Sequence, residues 1–217
     1  MTLTNVTLHY FKLGDKPSSC GWGENLNLLL KDAGVDFEYV RSDFSNWEQD
    51  KADFIKNKNI PHPTLPLVEV NGTFYNKTVP TMRFLSKKLG KYAGANDEEE
   101  YRLDTVADIV RDHFGSYGPL FRSTDQEKLK EHFEKDTKKY LAAYNNIYGE
   151  KDGAYILGDE ISYADFLVYH MIDDDNYALR DHFELIQKDY PNVARFIKAF
   201  IQRPKLVDYL ASLKAEN

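Results

Sequence analysis

Cysteine is nearly absent, with Cys20 the only one in 217 residues. A single thiol excludes an intramolecular disulfide and any multi-cysteine metal site, so stability must come from packing. Long apolar runs are missing too. No stretch approaches the roughly 20 residues that cross a bilayer, and no basic segment followed by an apolar run opens the chain. Neither a membrane anchor nor a secretory leader is expected, which leaves a cytoplasmic location. Positive charge is in deficit, 28 Lys and Arg against 35 Asp and Glu, for a net charge of −7. Without a basic cluster to offset that balance, nucleic acid and anionic membrane are not expected partners. The six histidines lie scattered, without the clustered spacing of metal ligands, so no metal site is expected.

What is present fits a soluble globular protein, with 42% hydrophobic and 29% charged residues and no low-complexity tract or internal repeat. The length suits one large domain or two small ones. Val6 to Phe11 alternates as a half-buried strand does, and a turn-rich loop from Lys12 to Gly21 follows. Leu26, Leu29, Leu30 and Ala33 have helical spacing, which Gly34 stops where a left-handed cap residue is expected. Phe37 to Val40 reads as a second strand, parallel to the first because a helix separates them. Trp47 to Lys58 reads as a polar helix and Val79 to Leu89 as another.

Between those helices, Thr64 to Thr78 forms the most informative stretch. It reads as a strand begun by Pro66, an Asn71-Gly72 turn, a second strand, and Lys77-Thr78 opening a helix. A proline that opens a strand lacks an N–H, and a cis bend there leaves the backbone of Leu65 ready to pair with an extended peptide. Thr78 stands at helix N-terminal amides that favour a carboxylate. The order to residue 90 is βαβαββα, a mixed sheet with an antiparallel hairpin at one side.

Beyond Gly90 strand-like alternation gives way to helical periodicity. Residues 91–96 read as a linker, and 97–217 as an all-helical domain after an α/β domain at 1–90. A long helix opens on four acids, Asp97 to Glu100, where its dipole favours them, and a second runs from Asp125 to Tyr148. Ser162-Tyr163-Ala164-Asp165 has the form of a capping box with Asp in the acidic place. Further helices are expected near Tyr177 to Lys188, Val193 to Gln202 and Lys205 to Leu213, separated by Pro191 and Pro204.

Together these features resemble the cytosolic glutathione transferases over essentially the whole chain. The resemblance implies a thioredoxin-like N-terminal domain, a helical C-terminal domain, a homodimer, and glutathione as co-substrate with no tightly bound cofactor. Thr64-Leu65-Pro66 matches the family's cis-proline segment, where the residue before proline pairs with the cysteinyl part of glutathione. Lys77-Thr78 falls at its Gln/Glu-Ser pair, which implies that Thr78 meets the γ-glutamyl carboxylate. Trp47 and Lys51 fall where a Trp and a Lys hold the glycyl carboxylate. Asp104 aligns with the acid that reaches the α-amino group across a dimer interface. The Ser162 to Asp165 box resembles one that serves folding, with no catalytic part for Asp165.

The residue that activates the thiol stays open. The thiolate is the nucleophile, and lowering a thiol pKa by about two units takes roughly 2.7 kcal/mol of differential stabilisation. Tyr10 resembles the tyrosine of the tyrosine-type classes, whose hydroxyl donates to sulfur. The usual Gly-Arg-Gly-Arg-Ala-Glu segment after it is absent, and Ser18-Ser19-Cys20-Gly21-Trp22 instead resembles the zeta class. Ser18 or Ser19 would then bond the sulfur, or Cys20 would form a mixed disulfide with glutathione. Leu13, His113, Phe114, Tyr117 and Phe121 are the candidate walls of an electrophile pocket. The expected function is conjugation of glutathione to small apolar electrophiles. The alternatives are glutathione-dependent thiol/disulfide exchange and a noncatalytic glutathione-binding domain.

Overall fold

The computed structural model describes residues 3–12, 21–121, 123–179 and 183–215. Two compact units result, one from Met1–Lys91 with Arg203–Asn217 and the other from Tyr92–Gln202.

In the first unit β1 (Val6–Phe11), α1 (Trp22–Ala33), β2 (Phe37–Ser42), α2 (Trp47–Lys56), β3 (Leu67–Val70), β4 (Thr73–Asn76) and α3 (Thr78–Leu89) follow the expected βαβαββα order. The sheet runs β2-β1-β3-β4, with β1 parallel to β2 and antiparallel to β3, and β3 antiparallel to β4. Alternation along β1 buries Val6, Leu8 and Tyr10 on the side where α1 packs. His9 points the other way and meets the Phe54 ring of α2 edge-on. Gly34 caps α1 at φ 68°, the left-handed conformation its position demanded. The last helix of the chain, α10 (Val207–Ala215), also belongs to this unit. Arg203 grips the buried Asp32 through two bonds of 2.6 Å, and the Tyr209 hydroxyl donates to Glu24 at 2.5 Å. Pairing of this kind is what lets Asp32 and Glu24 lie buried in an apolar unit.

The second unit is helical: α4 (Asp97–Tyr117), α5 (Gln126–His132), α6 (Lys138–Ile147), α7 (Tyr163–Leu179), α8 (Phe183–Asp189) and α9 (Pro191–Ile201). Asn96 caps α4 by accepting from the Glu99 N–H at 2.9 Å. The long helix expected from Asp125 to Tyr148 changes pitch midway, because Phe133–Thr137 forms a π-helical turn between α5 and α6. Where a helix is expected from Tyr177 to Lys188, α7 runs to Leu179 and α8 covers Phe183–Asp189, with 180–182 outside the described residues. Asp174 and Asp175 are buried along α7, where they meet partners inside the unit.

Asp165 anchors the start of α7. One carboxylate oxygen accepts from the Ser162 N–H and hydroxyl, both at 2.7 Å, and the other from the Ile156 N–H and the Tyr148 hydroxyl, both at 3.1 Å. Burial pushes this carboxyl up to about 6, with the hydrogen bonds from Ser162, Ile156 and Tyr148 opposing the shift. The capping box is therefore also a buried junction between α6, α7 and the loop that joins them.

Candidate active site

Strand register brings the N-terminal candidates to one end of the sheet. His9 is opposite Leu67, and Leu67 is opposite Asn76. One step past that row stand Tyr10, Pro66 and Lys77, and one step further Leu65 and Thr78. The Leu65–Pro66 bond is cis. The half-buried Leu65 side chain packs against Phe54, Ile60 and Leu67. Among the described residues none forms a backbone hydrogen bond with Leu65. Its N–H and C=O thus form a short open edge of the kind an extended peptide can join. The Thr64 hydroxyl is buried with no hydrogen bond to a described residue.

Tyr10 is 7% exposed, and two glycines fix its ring at the start of α1. A Cβ on Gly23 would fall inside contact distance of Tyr10 Cγ and Cδ1, and one on Gly21 would stand 2.8 Å from the hydroxyl. Gly21 also takes φ 75°, a region L side chains rarely adopt. Close approach of the ring to the helix is thus the reason for the Gly-Trp-Gly spacing. It sets the Tyr10 hydroxyl beside the start of α1, where the helix dipole is positive. Gly23→Ala tests this. In an open helix Ala gains about 1 kcal/mol over Gly, whereas displacing a packed ring costs about 1–3 kcal/mol. Net destabilisation of roughly 1–2 kcal/mol in a denaturant melt is expected, and a stabilised variant would mean the ring is not held there.

Thr78 is 8% exposed and opens α3. Lys77 precedes it at φ 67°, a strained conformation for a residue with a side chain. Thr81 secures the bend, donating its hydroxyl to the Asn76 carbonyl and its N–H to the Lys77 carbonyl, both at 3.0 Å. Lys77 makes no side-chain cap bond to this helix, whose positive N-terminal end favours an anion. Trp47 and Lys51 lie one turn apart on α2, and the Trp47 ring meets Phe11 edge-on with centroids 5.6 Å apart. Leu13, Ser18, Ser19 and Cys20 lie outside the described residues.

In the helical unit, Asp104 accepts from the Tyr163 hydroxyl at 2.5 Å. His113 and Tyr117, expected to line an acceptor pocket, are instead both at 0% exposure. The Tyr117 hydroxyl donates to the Asp174 carbonyl at 3.0 Å, and His113 Nε2 lies 2.8 Å from Asp175 Oδ2. Helical spacing places these two on the inward side of α4, which packs along α7. Phe114 and Phe121 are half-buried, and Phe121 meets Tyr117 edge-on.

Comparison with known proteins bears on the family and the fold. The glutathione S-transferase N-terminal domain family matches residues 7–78, and the glutathione S-transferase C-terminal domain family matches 111–213. The chain belongs to the glutathione S-transferase family. Glutathione S-transferase 2 of Manduca sexta is 29% identical over 214 residues, covering 97% of each chain. Glutathione S-transferase P 10 of Caenorhabditis elegans is 27% identical, covering 97% of this chain and 92% of its own. Among solved structures, the Pi-class glutathione S-transferase of Onchocerca volvulus has TM-score 0.82 at 23% identity, covering 98% of this chain and 95% of its own. The Nu-class enzyme of Haemonchus contortus has TM-score 0.75 at 26% identity, covering 95% and 96%.

Within the transferase family frame, sequence reading alone missed two contributors. Gly23 gives Tyr10 its seat; its signal was the Gly21-Trp22-Gly23 spacing next to a strand-end tyrosine. The backbone bend at Lys77 turns β4 into α3; no local signal marked it, because lysine is not a residue associated with positive φ.

Proposed function

We propose that the protein joins the thiolate of glutathione to small apolar electrophiles. The observation that carries this reading is one cluster at the sheet end: Tyr10 seated on Gly21 and Gly23, the open Leu65 backbone, and Thr78 opening α3. An extended anionic peptide with a central thiol is complementary to that cluster. Leu65 pairs with the cysteinyl backbone, while Thr78 takes the γ-glutamyl carboxylate through its hydroxyl and the helix amides. Thr64 and Pro66 hold the turn, Lys77 adds positive charge beside Thr78, and Trp47 and Lys51 take the glycyl carboxylate. Asp104 answers the α-amino group across a homodimer interface.

The Tyr10 hydroxyl donates to the sulfur and keeps its own proton, so the thiol proton goes to solvent. The thiolate then attacks an electrophilic carbon, a carbon–sulfur bond forms, and a leaving group such as chloride departs. Proximity and sulfur stabilisation supply the rate, and the reaction needs no bound cofactor. Phe114 and Phe121 suit flat apolar acceptors. No helix among the described residues is long and apolar enough to cross a membrane, consistent with work on soluble substrates in the cytoplasm.

Turnover of a chlorinated nitroaromatic with glutathione tests the reaction. Purified protein that binds glutathione yet conjugates nothing would sink it, and disulfide exchange without conjugation would point to Cys20. Thr78→Val tests the binding mode. It should raise the glutathione KM roughly 10-fold with little change in kcat, since a hydrogen bond to a charged group is worth about 1.5–3 kcal/mol and the helix amides remain. An unchanged KM would remove Thr78 from the site.

A further inference from the structure

We propose that His113, His132 and Asp175 form a buried site for a divalent transition metal of the zinc class, joining α4, α5 and α7. One ligand atom from each residue lies within 4.8 Å of the others. The three are 0%, 4% and 1% exposed.

The distances separate this cluster from an ordinary buried ion pair. His113 Nε2 is 2.8 Å from Asp175 Oδ2, a hydrogen bond. His132 Nε2 is 3.4 Å from Asp175 Oδ1, and neither nitrogen of that ring, nor Oδ1 itself, makes a hydrogen bond to a described residue. This imidazole and carboxylate oxygen stand at ion-pair distance but outside hydrogen-bond geometry, and the other ring nitrogen lies 3.6 Å from Asp136 Oδ2, so the buried ring has no close partner among the described residues. The imidazole and the carboxylate oxygen suit two donors of one metal, because bonds of about 2.0–2.1 Å in a tetrahedron set neighbouring donors roughly 3.4 Å apart.

The backbone supports the same reading independently. The π-helical turn begins at the residue after His132. On an α-helix of 3.6 residues per turn, His132 and Thr137 would point about 140° apart. The wider turn brings them to one side, where the Thr137 hydroxyl donates to Asp175 Oδ2 at 2.7 Å. Such turns concentrate at functional sites. On the far side of His113, Nδ1 is 3.2 Å from the Tyr144 hydroxyl. With the metal on Nε2, Nδ1–H donates to Tyr144, the outer bond a ligating histidine ordinarily makes. On metal entry the single proton of the neutral His113 ring moves from Nε2 to Nδ1 by exchange with solvent, so none is released in net, and the Tyr144 hydroxyl changes from donor to acceptor. The fourth position falls to the second carboxylate oxygen or a water.

Two imidazoles and one carboxylate favour zinc or a neighbouring transition metal over magnesium or calcium, which prefer all-oxygen sites. Burial of all three ligands makes the role structural. Nothing in the site depends on glutathione chemistry.

The test uses untagged full-length protein stripped with a chelator, then titrated with Zn2+ against a chromophoric competitor. One zinc per chain is expected, with four-coordinate d–d bands when Co2+ replaces it. His132→Gln and Asp175→Asn should each weaken binding by more than the 10–100-fold that outer partners cost, roughly, in metal affinity. Retained glutathione binding and a cooperative melt report that the variants fold. Absence of zinc binding by the native chain, or equal binding by both variants, would overturn the site. Should a variant not fold, X-ray absorption on the zinc-loaded native protein decides. Scattering from two imidazoles upholds the site, and a shell without them refutes it.

Discussion

Tyr10→Phe should lower kcat/KM for conjugation by roughly 10-fold at pH 6.5, and the order should reverse in alkali, where the variant's more basic thiolate becomes the faster nucleophile. The seat of the ring on Gly21 and Gly23 supplies the geometry and holds the hydroxyl at the start of α1. A hydroxyl that lowers the thiol pKa by about two units raises the thiolate fraction by up to about 100-fold at pH values below both pKa values. That gain is not passed on in full. Nucleophilicity falls with thiolate basicity, with a Brønsted slope of about 0.4–0.5, so two units return roughly 10-fold. The net difference is about 10-fold in acid. It shrinks as pH rises and reverses once the thiol is ionised in both proteins, because only the Brønsted difference of roughly 10-fold in favour of the variant then remains. The acidic limb of the pH profile should move up by about two units in the variant while glutathione affinity changes little. A profile that does not move would transfer the sulfur contact from Tyr10 to Ser18, Ser19 or Cys20.

Asp165→Ala should cost about 3–5 kcal/mol and leave the helical unit poorly folded at physiological temperature. The carboxylate satisfies four donors at once, from Ser162, Ile156 and Tyr148, in a place with no exposure. Removing it strands buried N–H and O–H groups, and a single orphaned group costs about 1–3 kcal/mol. Since whole-protein stability is typically about 5–15 kcal/mol, the loss is a large share. Asp165→Asn should recover only part, because an amide presents an oxygen to one pair of donors and an N–H group to the other. The exposed Asp108 supplies the control, with a change to Ala expected within about 0.5 kcal/mol. Denaturant melts monitored by helical circular dichroism read the difference. A loss below about 1 kcal/mol would mean that water replaces the carboxylate.

The strands, α1 and α3 followed from local chemistry. Alternation sets the faces of β1, Asn71-Gly72 turns the hairpin, and Gly34 and Gly90 stop helices in the left-handed conformation. The segment from Thr64 to Thr78 was legible for the same reason, because cis-proline bend, hairpin and helix start are neighbours in the chain. The Asp165 box was legible within four residues, although its bonds to Ile156 and Tyr148 were not.

Residues whose roles depend on distant partners were not legible. No local signal shows that Asp175 is buried and bonded to His113 and Thr137. His113 and Phe114 are neighbours on α4, yet one is fully buried and the other half-buried. The six histidines looked scattered because no spacing along the chain shows that α4, α5 and α7 bring two of them to one carboxylate. The sequence by itself determined the βαβαββα order, the helical second half and the bend, hairpin and helix start from Thr64 to Thr78, since caps, turns and periodicity act over a few residues. Only the tertiary structure decided where Tyr10 is seated, how Asp165 is satisfied and which groups Asp175 meets. Those outcomes are set by which distant donors a buried group meets, and burial without such a partner costs more than any local preference supplies.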